Sequence, residues 1–361
     1  MFSSETEDLT KEIQKLQRQL QEKEHVIKEN QLLKQQLQEK EHLIKENQLL
    51  KQQLQEKEQQ IREKDHIIKA QEHPVKLPTG IRGSSAVEGN IAYFRIGGDP
   101  SVYAYDSSNS KWSCIYPECP SIRFGITVIN GLLTAIGGLR DGKVIGTLLS
   151  LTGEGRNKQW SEMFYPMPTK RLFPGIMRYR KLLIIAGGTS SGLDGDSLST
   201  VEVMDTETLD WTTNKSLPHP FIDAWLTVCG DKVYMLGGNI RKTPSKSVLT
   251  CSLNDLDDRS GKWDTIPNVP VYNATCATVD GQLLAVGGKQ STEEGTTNSS
   301  AIYAYNPTEK SWSINCYMKT PRSFCLAAAL PNNKLMIVGG FIQEFSLHDE
   351  ATNEFEIISI R

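Results

Sequence analysis

The stretch KLLIIAGGTSSG, residues 181–192, poses the question on which the fold turns. Four hydrophobic residues, Leu182 to Ile185, read as a buried strand, and two adjacent glycines follow almost at once. Glycine weakens a strand interior and is tolerated where the backbone turns sharply or approaches another group closely. A pair of them at this point serves either a phosphate-binding loop or the geometry of a repeated fold.

The pair recurs. YFRIGG ends at Gly98, LTAIGG at Gly138, LIIAGG at Gly188, VYMLGG at Gly238, LLAVGG at Gly288 and LMIVGG at Gly340. The first glycines are Gly97, Gly137, Gly187, Gly237, Gly287 and Gly339, at intervals of 40, 50, 50, 50 and 52 residues. A fixed period in this range marks a propeller, a solenoid or an array. After each pair a variable polar loop leads to another short strand: VYAYD, LLSLT, VEVMD, VLTCS, IYAYN and EFSLH. A polar turn and an aromatic come next, namely Trp112, Trp160, Trp211, Trp263, Trp312 and, in the last copy, Phe355. Apolar stretches with turns, such as ITVINGLL, precede the pairs, so each unit holds four short strands and no helical period.

A hydrophobic run ending in Gly-Gly, a strand with tyrosine and a spaced tryptophan resemble the Kelch repeat. The resemblance covers residues 80–361 in six in-phase copies. It implies an all-β fold, a six-bladed β-propeller of Kelch repeats, in which the glycine pairs are architecture and the repeat tryptophans pack between blades.

Residues 1–72 are a different material. LQEKEHVIKENQLLKQQ at 20–36 recurs as LQEKEHLIKENQLLKQQ at 37–53 and more loosely at 54–70, with no glycine or proline from 5 to 72. These are strong helix formers. Ile13, Leu16, Leu20, Ile27, Leu33, Leu37, Ile44, Leu50, Leu54, Ile61 and Ile68 form one seam of three- and four-residue steps, with polar residues filling the gaps. A 17-residue unit is two heptads plus three, a stammer that overwinds a left-handed coiled coil. Asn30 and Asn47 fall at the seam, where a buried amide fixes register. The expectation is a helical coiled-coil segment over 1–72 that joins copies of the chain through residues 13–68, a linker over 73–79, and the propeller over 80–361.

A formal net charge of −3 over 361 residues gives no basic surplus for nucleic acid or an anionic membrane. The start, MFSSETEDLT, lacks the basic and apolar regions of a secretory signal, which leads to a cytoplasmic expectation. The seven cysteines show no CxxC spacing, and the repeats hold only His219 and His348, so no metal or other cofactor is expected. The segment GGLRDGKV, 137–144, satisfies G-x-x-x-x-G-K, but Val144 stands where a phosphate loop needs Ser or Thr, and no helix follows. No nucleophile–base pair is legible, so the chain reads as a non-enzyme; a propeller oxidase or hydrolase is the alternative from another class.

Binding remains. In Kelch propellers, the resemblance implies, partners dock on the face where the loops after Gly-Gly and those leading into each innermost strand open. The lead-in loops here share proline followed by a basic residue: LPTGIR, CPSIR, MPTKR and TPR. They place Arg82, Arg123, Arg171 and Arg322 between 14 and 17 residues ahead of their glycine pairs, with Asp223 and Asn273 at the matching place in the other two blades. Two readings stand: a rim of guanidiniums that captures acidic or phosphorylated side chains, or arginines paired within their own blades. Trp225 lies twelve residues before Gly237, where the second blade has Gly125 and the fifth has Cys276. It either fills the channel or anchors a partner, with Tyr272 and Phe221 enlarging the patch. The function expected is a protein–protein interaction scaffold. Its specialised versions are actin cross-linking and substrate recognition for a ubiquitin ligase.

Overall fold

The structure is a computed structural model that describes residues 11–13, 15–23, 77–80, 82–154, 157–192, 196–241, 243–257, 261–293, 295–342 and 350–360. Two compact units divide the chain, Met1–Lys64 and Asp65–Arg361. In the first, residues 11–13 and 15–23 are α-helical with Ile13, Leu16 and Leu20 exposed. The rest of the expected coiled-coil seam, from Ile27 to Ile68, lies outside the described residues.

The second unit is a six-bladed β-propeller. Blades 1 to 5 are four-stranded antiparallel sheets, built in sequence order from the innermost strand outward. The innermost strands are Gly83–Glu88, Gly125–Ile129, Gly175–Tyr179, Trp225–Cys229, Thr275–Val279 and Leu326–Leu330. Each touches the innermost strand of the next blade, and the sixth touches the first, which closes the ring. Short hairpins follow the glycine pairs in blades 2, 4, 5 and 6; that of blade 2, Leu139–Arg140 with Lys143–Val144, occupies the GGLRDGKV segment.

Six hydrophobic clusters lie among the described residues, one at every interface between neighbouring blades. The second strand of blade 3, Leu182–Ala186, shows why the pattern is a continuous apolar run and not an alternation. Ile184 faces blade 4 and Leu183 and Ile185 face blade 2, all fully buried. A strand covered on both faces has no polar side to present.

Blade 6 differs from the expectation. EFSLH lies outside the described residues, and the strand beside the second strand of that blade is Phe355–Ser359. Phe355 therefore sits on a third strand, whereas the repeat tryptophans sit on the fourth or, for Trp263, just before it. Its ring meets Trp112 of blade 1 edge-on, centroids 5.3 Å apart, in the cluster that also buries Leu77. Three other tryptophans tie blades through their indole N–H groups. Trp160 donates to the carbonyl of Pro117 at 2.8 Å, Trp211 to that of Tyr165 at 3.1 Å and Trp312 to that of Pro267 at 2.9 Å.

The glycine pairs serve the ring. Gly187 and Gly188 both have positive φ, and a Cβ on Gly188 would stand 2.5 Å from the carbonyl oxygen of Leu172 in the lead-in loop of the same blade. The backbone passes so close because the residue after the pair, Thr189, exchanges hydrogen bonds with Leu172 at 2.8 and 2.9 Å. Blades 2, 4, 5 and 6 repeat this bridge, so the hairpins and lead-in loops open on one face.

Candidate functional site

On that face the chain makes a sharp left-handed step two residues before each innermost strand, or one residue before it in blade 1. Arg82, Arg123, Phe173, Asp223, Asn273 and Phe324 all take it, with φ between 50° and 59°. Backbone bonds link several of them around the ring: Asp223 N–H to Phe173 O and Phe324 N–H to Asn273 O at 3.0 Å, and Arg82 N–H to Phe324 O at 3.3 Å. These six residues line the mouth of a central cavity of about 320 Å³, whose walls are the innermost strands.

The two arginine readings are thereby divided. Arg82 and Arg123 belong to the mouth. Arg171 and Arg322 stand two residues too early and are buried, at 0% and 1% exposure. Arg171 donates to the carbonyl of Gly187 at 2.8 Å and pairs with Glu202 on the third strand of its blade at 2.8 Å. Arg322 repeats this with Gly339 O at 3.0 Å and Glu356 at 3.3 Å. Each clasps a glycine pair to its lead-in loop, so these two are corrected from rim to interior. Burial lowers the pKa of Arg171, with Glu202 opposing the shift; burial likewise raises that of Glu356 against the pull of Arg322.

Trp225 lines the central cavity. It opens its innermost strand, as Gly175 and Thr275 do theirs, so its counterpart in blade 5 is Thr275 and not Cys276. The half-buried ring packs against the interface of blades 4 and 5 and also that of blades 6 and 1, crossing the axis. Tyr272 lies outside the cavity lining; its hydroxyl bonds Thr296 at 3.2 Å in the adjoining hairpin.

Two residues of the mouth, Phe173 and Phe324, and the cavity-lining Arg95 are not marked by the sequence pattern. Arg95 is a second-strand residue of blade 1, 2% exposed, and its guanidinium lies over the Phe124 ring at 5.6 Å. It donates to the carbonyl of Gly97 and so performs the clasp that Arg171 and Arg322 perform elsewhere. Blade 1 has Gly80 at the clasping position, its carbonyl accepting from Gly340 N–H as that of Arg322 accepts from Gly288 N–H. Only blades 3 and 6 carry arginine at that position, the others having Gly80, Ser121, Phe221 and Val271, so the sequence pattern does not point to Arg95. Arg95 differs in one respect: where blades 3 and 6 carry Glu202 and Glu356 on the third strand, blade 1 has Tyr103. Burial lowers the pKa of Arg95 to about 10, with Asp223 raising it and Arg123 lowering it further.

Arg82 Nε lies 3.3 Å from Asp223 Oδ2, and its guanidinium covers the Phe324 ring at 5.2 Å. Burial raises the pKa of Asp223, with Arg82 and Arg95 pulling the other way. At the far end of the cavity Arg178 pairs with Glu88 at 3.2 Å. Burial pushes the Cys119 thiol up to about 12, which leaves it a poor nucleophile at neutral pH. No helix among the described residues is long and apolar enough to cross a membrane.

The geometry defines a propeller with a concave mouth, and known proteins agree with the fold. A Kelch motif matches residues 270–314. Beta-scruin of Limulus polyphemus is 25% identical over 188 residues, covering 51% of this chain and 20% of that protein. Alpha-scruin of the same organism is 23% identical over 279 residues, covering 72% and 30%. The Kelch repeat and BTB domain-containing protein 1 of Ectromelia virus (strain Moscow) is 26% identical, covering 60% and 39%. This chain thus spans well under half the length of these relatives. The solved structure of YjhT superposes with a TM-score of 0.64 at 15% identity, covering 80% of this chain and 97% of that one, which bears on the fold alone.

Proposed function

We propose that this chain is a cytoplasmic, non-enzymatic interaction protein whose propeller holds segments of partner proteins at the loop face, while residues 1–72 join copies through a coiled coil. The observation that carries the reading is the cavity mouth itself, a concave site ringed by Arg82, Arg123, Phe173, Asp223, Asn273 and Phe324 on hydrogen-bonded backbone. Its charged groups are guanidiniums and one carboxylate, with two aromatic rings between them. That set recognises a ligand but offers no nucleophile with a base beside it. Joined copies would gain avidity from weak single contacts. Kelch-repeat relatives supply analogy only.

Affinity capture with the full-length chain tests this reading, comparing wild type with the mouth variant Arg82→Gln/Phe173→Ala/Phe324→Ala. Partners retained by wild type and lost by the variant support it; identical capture by both overturns it. Actin co-sedimentation and capture of ubiquitin-ligase components separate the two narrower versions. Light scattering of the full chain beside Leu33→Glu/Leu37→Glu/Leu50→Glu tests the coiled coil: the wild type should be an oligomer that the variant dissociates.

A further inference from the structure

We propose that the sector of the mouth formed by blades 1 and 2 is a carboxylate-binding site built on Arg123 and Arg95, with Asp223 as an internal competitor that holds Arg82. The proposal rests on the reading that the loop face is the binding face. Its basis is a mismatch between clasping arginines. Arg171 and Arg322 each have a buried glutamate, whereas Arg95, equally buried, forms no ion pair with any described residue, and its Nε has no hydrogen-bond partner. A buried charge without a counter-charge is costly and stays only where something offsets it. The nearby Asp99 is engaged by the Ser101 N–H at 2.7 Å and the Tyr103 hydroxyl at 3.4 Å.

Arg123, half-buried at the mouth next to Arg95, has neither an ion pair nor a hydrogen bond among the described residues. Arg82 and Arg95 therefore share one mouth carboxylate, Asp223, which is already in contact with Arg82, and Arg123 has none. Phe173 and Phe324 flank the two mouth arginines around the ring and present apolar walls to a ligand's aliphatic portion. Across the mouth Asn273, 9% exposed, has an amide oxygen without a partner, ready to accept from a backbone N–H of the same ligand. A carboxylate on a short stem, with an amide beside it, matches both groups. An acidic side chain of a protein segment has that chemistry, whereas a small dicarboxylate supplies the carboxylate without the amide.

Fluorescence anisotropy of fluorescein-labelled hexaglutamate with the full-length chain tests the site, with hexaglutamine as the uncharged control. Arg123→Gln should weaken hexaglutamate binding by at least about tenfold, since a hydrogen bond to a charged group is lost. Asp223→Asn should tighten it by a few fold to about tenfold, because Arg82 is released while the shape is kept. Opposite signs from two residues of one mouth are not what a loss of folding gives, and circular dichroism of both variants checks the fold independently. Glutarate distinguishes the source. Displacement at concentrations like those of unlabelled hexaglutamate assigns the site to small dicarboxylates, and a need for about a hundredfold more assigns it to protein segments. No binding of hexaglutamate, equal binding by all three proteins, or weakening by Asp223→Asn overturns the proposal. If that happens while partner capture still depends on the mouth, the loop-face reading stands and the carboxylate site alone falls.

Discussion

Arg82 and Asp223 meet across the channel: the first begins blade 1, the second begins blade 4, and Nε and Oδ2 lie 3.3 Å apart. In a ring of six, these blades are opposite one another. The contact is a strut over the axis and not a bond between neighbours. It comes with a cost, since burial raises the pKa of Asp223 despite the pull of Arg82 and Arg95.

The sign of that shift gives a pH prediction. A carboxyl whose folded pKa lies above its unfolded value of about 3.9 costs nothing where both states are protonated, and its ionisation opposes folding above the folded pKa. Asp223→Asn removes that penalty. The variant should melt at a higher temperature than wild type at pH 7.5, and the gap should shrink as pH falls through the raised pKa, closing near pH ~4. Thermal melts followed by circular dichroism at four pH values check this; a lower melting temperature at every pH would show that the strut outweighs the desolvation.

The two kinds of arginine should separate in stability. Arg171→Met leaves Glu202 buried and unpaired and should cost about 3–5 kcal/mol by urea unfolding. The double change Arg171→Met/Glu202→Leu should recover much of it, because the orphaned charge is gone. Arg123→Gln breaks no described contact and should stay within about 0.5 kcal/mol of wild type. Similar losses at Arg171 and Arg123 would refute the division of the rim into mouth and interior.

That division explains what sequence could and could not show. The propeller is legible because its period is written in glycine pairs that backbone geometry demands, and because the runs before them are apolar on both faces. The mouth is not, because the glycine pair is a poor ruler for the lead-in loops. Measured from the first glycine, the mouth residues stand 14 or 15 back and the clasping Arg171 and Arg322 stand 16 and 17 back. Two residues of loop decide between solvent and interior. No motif or spacing in the sequence sets Phe173, Phe324 or Arg95 apart. Only closing the ring brings blades 1, 3 and 6 into one comparison. In the last blade, Phe355 resembles the repeat tryptophans in aromaticity alone, because its strand pairs with the second and so fills the third place.

The glycines offer a contrast within one motif. Gly188 has φ of +91°, with a carbonyl oxygen 2.5 Å from any added Cβ, so Gly188→Ala should cost at least about 2 kcal/mol. Gly98 occupies the same place in blade 1, yet it is exposed, lacks a positive φ, and an added Cβ would meet nothing within 4 Å. Gly98→Ala should therefore change stability by no more than about 0.5 kcal/mol. Equal costs by urea denaturation would mean that the doublet matters by composition and not by contact.

The ring's weakest interface should be where blade 6 meets blade 1. Among the described residues blade 6 has three strands, so no fourth strand covers the outer edge of Phe355–Ser359. What holds the seam is the cluster of Trp112, Phe355, Tyr105 and Leu77, aided by the Asn353 amide donating to the carbonyl of Leu77 at 3.2 Å. Phe355→Ala removes the ring that Trp112 meets edge-on and should cost about 3–5 kcal/mol. The loss should be local before it is global, because opening one interface leaves five intact. Hydrogen exchange should therefore quicken first in Phe355–Ser359 and in the outer strands of blade 1, Val102–Asp106 and Lys111–Ile115, while Leu182–Ala186 of blade 3 stays protected. If exchange rises uniformly around the ring, the propeller opens as one cooperative unit and the seam has no special weakness.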